Sequence, residues 1–244
     1  MTRIGIIGGT GVTQLKELEV TGTEAIKTPY GAPSGDVTHG KLFGQDVAFI
    51  ARHGYAHNIP PHKVNYRANV WAMKQLGVES LLAFAAVGGI TPEMAPGKVV
   101  IPHQMVDYTY GREHTYFADD LDDVTHIDFT EPYCASLRGA LLAAAQSAEV
   151  NAVEHGVYAA MQGPRLETAA EINRLDNDGC TLVGMTGMPE AALAKELELS
   201  YATLAVVVNY AAGRGDGPIT MDDIKAAMDV GMGDAVKVLS AFLR

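Results

Sequence analysis

The stretch VAFIARHGYAHNIPPHKVNYRANVW, residues 47–71, decides how this chain is read. Its first five residues are apolar, as in a strand covered on both faces. The run then ends on Arg52, His53 and Gly54. A guanidinium and an imidazole are thereby delivered together to the end of a buried strand. A buried cation requires an anion beside it. A second strand-like run, residues 3–7, leads into Gly8-Gly9-Thr10-Gly11, whose backbone amides and threonine hydroxyl suit an oxyanion. Two strand ends, one offering amides and the other positive side chains, point to a shared oxyanion, read as phosphate. The glycine run is not a P-loop, because no Gly-Lys-Ser/Thr follows. It is not a dinucleotide fingerprint either, because the third glycine of that pattern is missing. An internal ion pair is the alternative reading for Arg52, and a ligand-free tight turn is the alternative for the glycines.

Outward from this stretch, strands alternate with helices. Residues 37–42 and 46–51 read as a hairpin turning at 43–45. Pro60-Pro61 is expected to open a helix that ends near Gly77, with Val64, Ala68, Trp71 and Leu76 as its apolar stripe. Strands are expected at 80–87, 98–102, 152–162, 181–185 and 201–209. Helices are expected at 132–148, 167–175 and 189–197, the last with Pro189 in its first turn. Thr220 with Asp223 resembles a capping box for a C-terminal helix. Residues 103–130, rich in His, Asp and Tyr, read as a long functional loop. The pattern predicts an α/β fold in which helices flank a central mixed, twisted sheet. No composition shift marks a linker, so one domain is expected over residues 1–244.

Composition narrows the chemistry. Apolar residues make up 48% of the 244, enough for a large core. A net charge of −11 argues against nucleic-acid and membrane-surface partners, so an anionic substrate must be drawn by a local positive site. Two cysteines, Cys134 and Cys180, make no disulfide framework. The chain opens directly into a strand-like run with no leader-like segment, which predicts a cytoplasmic location. His53, His57 and His62 lie in a proline- and glycine-broken loop without a nearby carboxylate, which disfavours a metal site.

Further polar residues interrupt apolar runs. Glu167 follows a Gly-Pro turn in QGPRLET, where the bland reading is a carboxylate on a helix dipole. Met185 and Thr186 stand at another strand end in GMTGMPEA. Asn209 closes the apolar run of 201–208, either terminating the strand or recognising a planar heterocycle.

Together these segments resemble the trimeric purine nucleoside phosphorylases, in their 5′-methylthioadenosine and 5′-methylthioinosine phosphorylase branch. IGIIGGTG, ARHG, HKVNYRANVWAMK, GPRLET, MTGMPEAALAKE and the strand before Asn209 fall in order across nearly the whole chain. The resemblance implies a phosphorylase/hydrolase-like fold, a homotrimer, and no metal or organic cofactor, inorganic phosphate being a co-substrate. Carried over residue by residue, it assigns Thr10, Arg52, His53, Thr186 and the amide of Ala86 to phosphate. It sets Met185 against the ribose and Leu166 against the purine. It makes Glu167 and Asn209 readers of the base, with His53 beside them in catalysis. It has His126 reach the 5′ end of a neighbouring subunit's nucleoside.

Departures from the family pattern are informative. Ala85 stands where many relatives place a hydroxyl, and Leu166 where an aromatic is usual. Adenine-specific relatives carry Asp at the positions of Asn209 and Ala211 and lack a Glu at 167. Ionised Glu167 is acceptor-only, which suits the N1–H of a 6-oxopurine and opposes the N1 lone pair of adenine. The Asn209 amide can donate to O6 and accept at N7. Ile219 and Met221 stand where relatives acting on inosine place a histidine for the 5′-hydroxyl, and their apolar side chains suit a thioether. The expected reaction is therefore phosphorolysis of S-methyl-5′-thioinosine to hypoxanthine and 5-methylthioribose 1-phosphate. A 5′-methylthioadenosine phosphorylase, an inosine or guanosine phosphorylase and a non-catalytic nucleotide-binding protein are the alternatives.

Overall fold

A computed structural model describes residues 3–9, 15–119 and 121–244. The chain opens with β1 (Ile4–Gly8), β2 (Leu18–Glu24), β3 (Val37–Leu42) and β4 (Gln45–Ala51). A short 3-10 turn at Pro61–Lys63 precedes α1 (Tyr66–Gln75). Then follow β5 (Ser80–Gly89), β6 (Val99–Val100), β7 (Gln104–Asp107), α2 (Ala135–Ser147), β8 (Val157–Ala160), α3 (Ala169–Asn177), β9 (Leu182–Gly184), α4 (Gly187–Glu196), β10 (Ser200–Tyr210) and α5 (Met221–Leu243).

The strands form one mixed sheet in the order β2-β3-β4-β1-β5-β9-β8-β7, while β10 also pairs with β5 and carries β6. The most apolar strands are central: β1 runs parallel to β4 and to β5, and β10 runs parallel to the whole length of β5. β5 outruns β1, so its last residues, Gly88 and Gly89, take up β9 in antiparallel register. Helices cover both faces. Val70 and Met73 of α1 pack with Ala191 and Leu193 of α4 on one side. Leu137 and Leu141 of α2 pack with Val238 and Leu239 of α5 on the other. The expected α/β architecture is the observed one. No described helix is long and apolar enough to cross a membrane.

The expected hairpin forms, with Phe43 and Gly44 both at positive φ in its two-residue turn. Several boundaries differ. The helix expected from Pro60 begins only after Asn65, whose side chain accepts from the Ala68 amide, and the two prolines make the 3-10 turn instead. The strands expected at 98–102 and 152–162 shorten to β6 and β8. The expected loop at 103–130 contains β7, which pairs with β8. β2, a mostly exposed edge strand, was not anticipated. The backbone of α4 is non-helical at Met188, so its regular turns start at Pro189, as the sequence predicts. Thr168 and Glu171 form a reciprocal capping box at α3.

Candidate functional site

Strand ends converge on one cavity of about 280 Å³. Gly9 after β1, Arg52 and His53 after β4, Ala85 to Gly88 of β5, Gly184 at the end of β9 with Met185 and Thr186 beyond it, and Asn209 of β10 with Ala211 just past it all line it. Ligand sites at strand ends are the rule in open α/β sheets. Within β5, Ala86 is the one exposed residue, because there the strand faces the cavity instead of a side chain. The two strand ends first read as an anion site do meet: a Cβ on Gly9 would lie 3.2 Å from the His53 ring. Thr10 lies outside the described residues.

Arg52 departs from the expectation that its charge awaits an external anion. It is almost fully buried, and its counter-ion is Glu190 in the first regular turn of α4. Nε donates to Glu190 Oε2 at 2.6 Å and Nη2 to Oε1 at 2.8 Å, a two-pronged pair. Nη1 donates to the Phe84 carbonyl and Nη2 also to that of Ile7. Burial works against the charged guanidinium, but Glu190 outweighs it and the Arg52 pKa is raised. One of the five N–H groups, on Nη1, is left without a partner among the described residues. Arg52 lines the cavity and can therefore offer it at most a single N–H, not a free fork.

His53 is held in one tautomer. Its Nδ1 donates to the Ile59 carbonyl at 2.8 Å, leaving Nε2 as an acceptor in the neutral ring. Burial, then the neighbouring Arg52 charge, pulls its pKa from 6.5 to about 4. The unfolded chain thus takes up a proton near pH 6.5 that the folded chain refuses until about pH 4. Folding stability should fall across that window as pH drops, and His53→Asn should flatten the fall. Denaturant midpoints measured through the window check this; an identical fall in the variant would contradict a neutral, buried ring.

Leu166, Glu167, Asn209, Ala211 and Ala212 line the same cavity. β10 bulges between Val207 and Asn209, and a bulge of this kind re-aims the side chain that follows it. One Asn209 Nδ2 hydrogen donates to the Tyr210 carbonyl at 2.7 Å; the other and the amide oxygen remain. Burial raises the Glu167 pKa. Gly163 has φ of +61°, and a side chain there would collide with Met185 Sδ, so the turn before Glu167 packs directly on the Met185 segment.

The third wall is apolar: Ile219, then Ile224, Met228 and Met232 from α5. The expected Met221 is not part of it. It is the first residue of α5, one turn short of Ile224, and is 75% exposed. Sequence reading missed Ile224, Met228 and Met232, although their spacing of four marks one helix face. It missed Glu190 and Phe84 as well. His126 is exposed and does not line its own chain's cavity. Among the described residues no group of three His, Cys, Asp or Glu is arranged to hold a metal.

Comparison with known proteins gives a consistent set. The model of the Phosphorylase superfamily matches residues 3–244. A Pseudomonas syringae pv. tomato protein named probable S-methyl-5′-thioinosine phosphorylase is 56% identical over 243 residues, covering 100% of this chain and 99% of its own. A Pyrococcus furiosus 6-oxopurine nucleoside phosphorylase is 45% identical over 246 residues, covering 99% of this chain and 92% of its own. Among solved structures, methylthioadenosine phosphorylase from Schistosoma mansoni in complex with adenine superposes with a TM-score of 0.93 at 30% identity, covering 100% of this chain and 91% of that one.

Proposed function

Because the chain belongs to the phosphorylase superfamily, we propose that it cleaves S-methyl-5′-thioinosine with inorganic phosphate. The products are hypoxanthine and 5-methylthioribose 1-phosphate. One observation carries this reading: a single cavity joins a polar end at Gly9, His53 and Thr186, the polar side chains of Glu167 and Asn209, and an apolar wall at Ile219, Ile224, Met228 and Met232. The similarity to relatives named for S-methyl-5′-thioinosine and for 6-oxopurine nucleosides supports it.

Phosphate lies at the polar end. It receives the remaining Arg52 N–H, the Thr186 hydroxyl and the amides near Gly9 and Ala86. Neutral His53 accepts a hydrogen bond from protonated phosphate at Nε2. Thr10 joins this set. The ribose packs on Met185, and its methylthio group enters the apolar wall, where polarizable methionines suit a thioether. As the C1′–N9 bond breaks, positive charge develops on the sugar and negative charge on the purine. Phosphate below C1′ is both nucleophile and counter-charge, and Asn209 holds the base as charge moves onto O6 and N7. No covalent enzyme intermediate, metal or organic cofactor is needed.

The working form is a cytoplasmic homotrimer of one-domain subunits spanning residues 1–244, in which His126 of a neighbouring copy completes the 5′ end. Release of hypoxanthine from S-methyl-5′-thioinosine should require phosphate. Equal release in its absence would make the protein a hydrolase, and no release would remove the reading. Light scattering at assay concentration should report a trimer, and a fully active monomer would remove the role given to His126.

A further inference from the structure

Arg112 is buried, yet no carboxylate accepts from it among the described residues. A buried cation is normally paired, so its surroundings call for a reason. Every partner is neutral, and the partners come from separate segments. Nε donates to Gln162 Oε1 at 3.1 Å. Nη2 donates to the carbonyls of Met161 at 3.1 Å and Gln162 at 2.9 Å. Nη1 donates to the carbonyls of Met185 at 2.8 Å and Met188 at 2.6 Å, and the Tyr66 hydroxyl at 3.2 Å shares one of its two hydrogens. The guanidinium also lies over the Tyr66 ring.

These carbonyls belong to the segments that follow two strands, and both segments lead to residues that line the cavity. Met161 and Gln162 follow β8 and lead through Gly163 to Glu167. Met185 and Met188 bracket Thr186, between β9 and the regular turns of α4. The planar fork suits this task because its donors point in fixed, divergent directions. We propose that Arg112 is a positioning residue that fixes the Met185–Thr186 segment in register with the Glu167 segment. It touches no substrate itself. The proposal rests on the reading that these segments hold the sugar, phosphate and base of one nucleoside.

Each ligand alone needs one segment, whereas the reaction needs both at once. Loss of register should therefore fall on turnover more than on binding. In Arg112→Lys, kcat should drop about ten- to a hundredfold, the range a displacement of order 1 Å commands. Dissociation constants for hypoxanthine alone and for phosphate alone, read by calorimetry, should change less than about threefold. Gln162 gives milder variants: Gln162→Leu removes one acceptor and should slow turnover, and Gln162→Glu, which supplies a carboxylate to the same fork, should restore it. Hydrogen exchange gives a readout independent of catalysis. In both Arg112→Lys and Gln162→Leu, amides at 161–168 and 184–188 should exchange faster while those at 47–51 stay unchanged. A wild-type protein that cleaves no nucleoside would remove the functional reading, and the exchange pattern would still decide the role of Arg112. Unchanged exchange in both segments, a uniform rise across the chain, or unchanged kcat in a folded variant of an active enzyme would each overturn the proposal.

Discussion

S-Methyl-5′-thioinosine should be cleaved with a kcat/KM about 10⁴ above that of its 6-amino counterpart, the discrimination reached when buried polar groups mismatch a ligand. The argument rests on two side chains at the base end. A 6-oxopurine presents an acceptor at C6 and a donor at N1; adenine presents the reverse. Glu167 as a carboxylate can only accept. Asn209 has one amide hydrogen left after its bond to the Tyr210 carbonyl, enough for a single acceptor such as O6. Asn209→Asp should narrow the gap, because a carboxylate accepts from the adenine amino group and repels O6. Adding Glu167→Ser should narrow it further. The pH dependence has a definite sign. Burial raises the Glu167 pKa, so falling pH supplies the protonated form sooner than for an exposed carboxylate. Protonated Glu167 donates to adenine N1, and the ratio of the two kcat/KM values should shrink as pH falls. Paired rate measurements on the two nucleosides check each step. A wild-type ratio of one or less would sink the donor–acceptor argument and leave an adenine-directed enzyme.

What the sequence disclosed followed from where the information sits. β4, β5 and β10 were legible because burial on both faces leaves long apolar runs, and the residues that break those runs, Arg52, His53 and Asn209, mark the cavity. β2 and β7 were not legible. The first is an exposed edge, the second is only partly buried, and neither has the apolar face that produces a pattern. Asn65 was overlooked as a cap because Pro60-Pro61 offered a stronger local signal five residues earlier. The partners of Arg52 and Arg112 were beyond any local reading. Glu190 is 138 residues from Arg52, and Arg112 bonds to groups 46 to 76 residues away. Nothing in the spacing of charges along the chain reports such pairs. For Arg52 the rule that a buried cation needs an anion holds, but it does not say whether the anion is a ligand or a side chain, and Arg112 meets its burial with neutral acceptors instead.

That distinction leads to the second large effect. Glu190→Gln should lower folding stability by about 3–5 kcal/mol, the loss typical when one member of a buried ion pair is removed. Against a total of about 5–15 kcal/mol for an ordinary domain, this is a severe change. Glu190 is fully buried and accepts from Arg52 Nε, Arg52 Nη2 and the Tyr201 hydroxyl, the last at 2.9 Å. A glutamine there keeps one acceptor oxygen, turns an NH₂ group toward donors, and leaves the guanidinium uncompensated in the core. Replacing both members with apolar side chains of similar length, Arg52→Met with Glu190→Leu, should recover much of the loss, because neither charge is then left buried. The double variant separates stability from function. If the remaining Nη1 hydrogen of Arg52 reaches phosphate, the refolded double variant should still show a phosphate KM raised roughly tenfold or more, matching the roughly 1.5–3 kcal/mol of a hydrogen bond to a charged group. Denaturant midpoints and phosphate titrations of the three proteins decide the matter. An unchanged midpoint in Glu190→Gln would refute the pair as a structural element, and a wild-type phosphate KM in the stable double variant would confine Arg52 to the core.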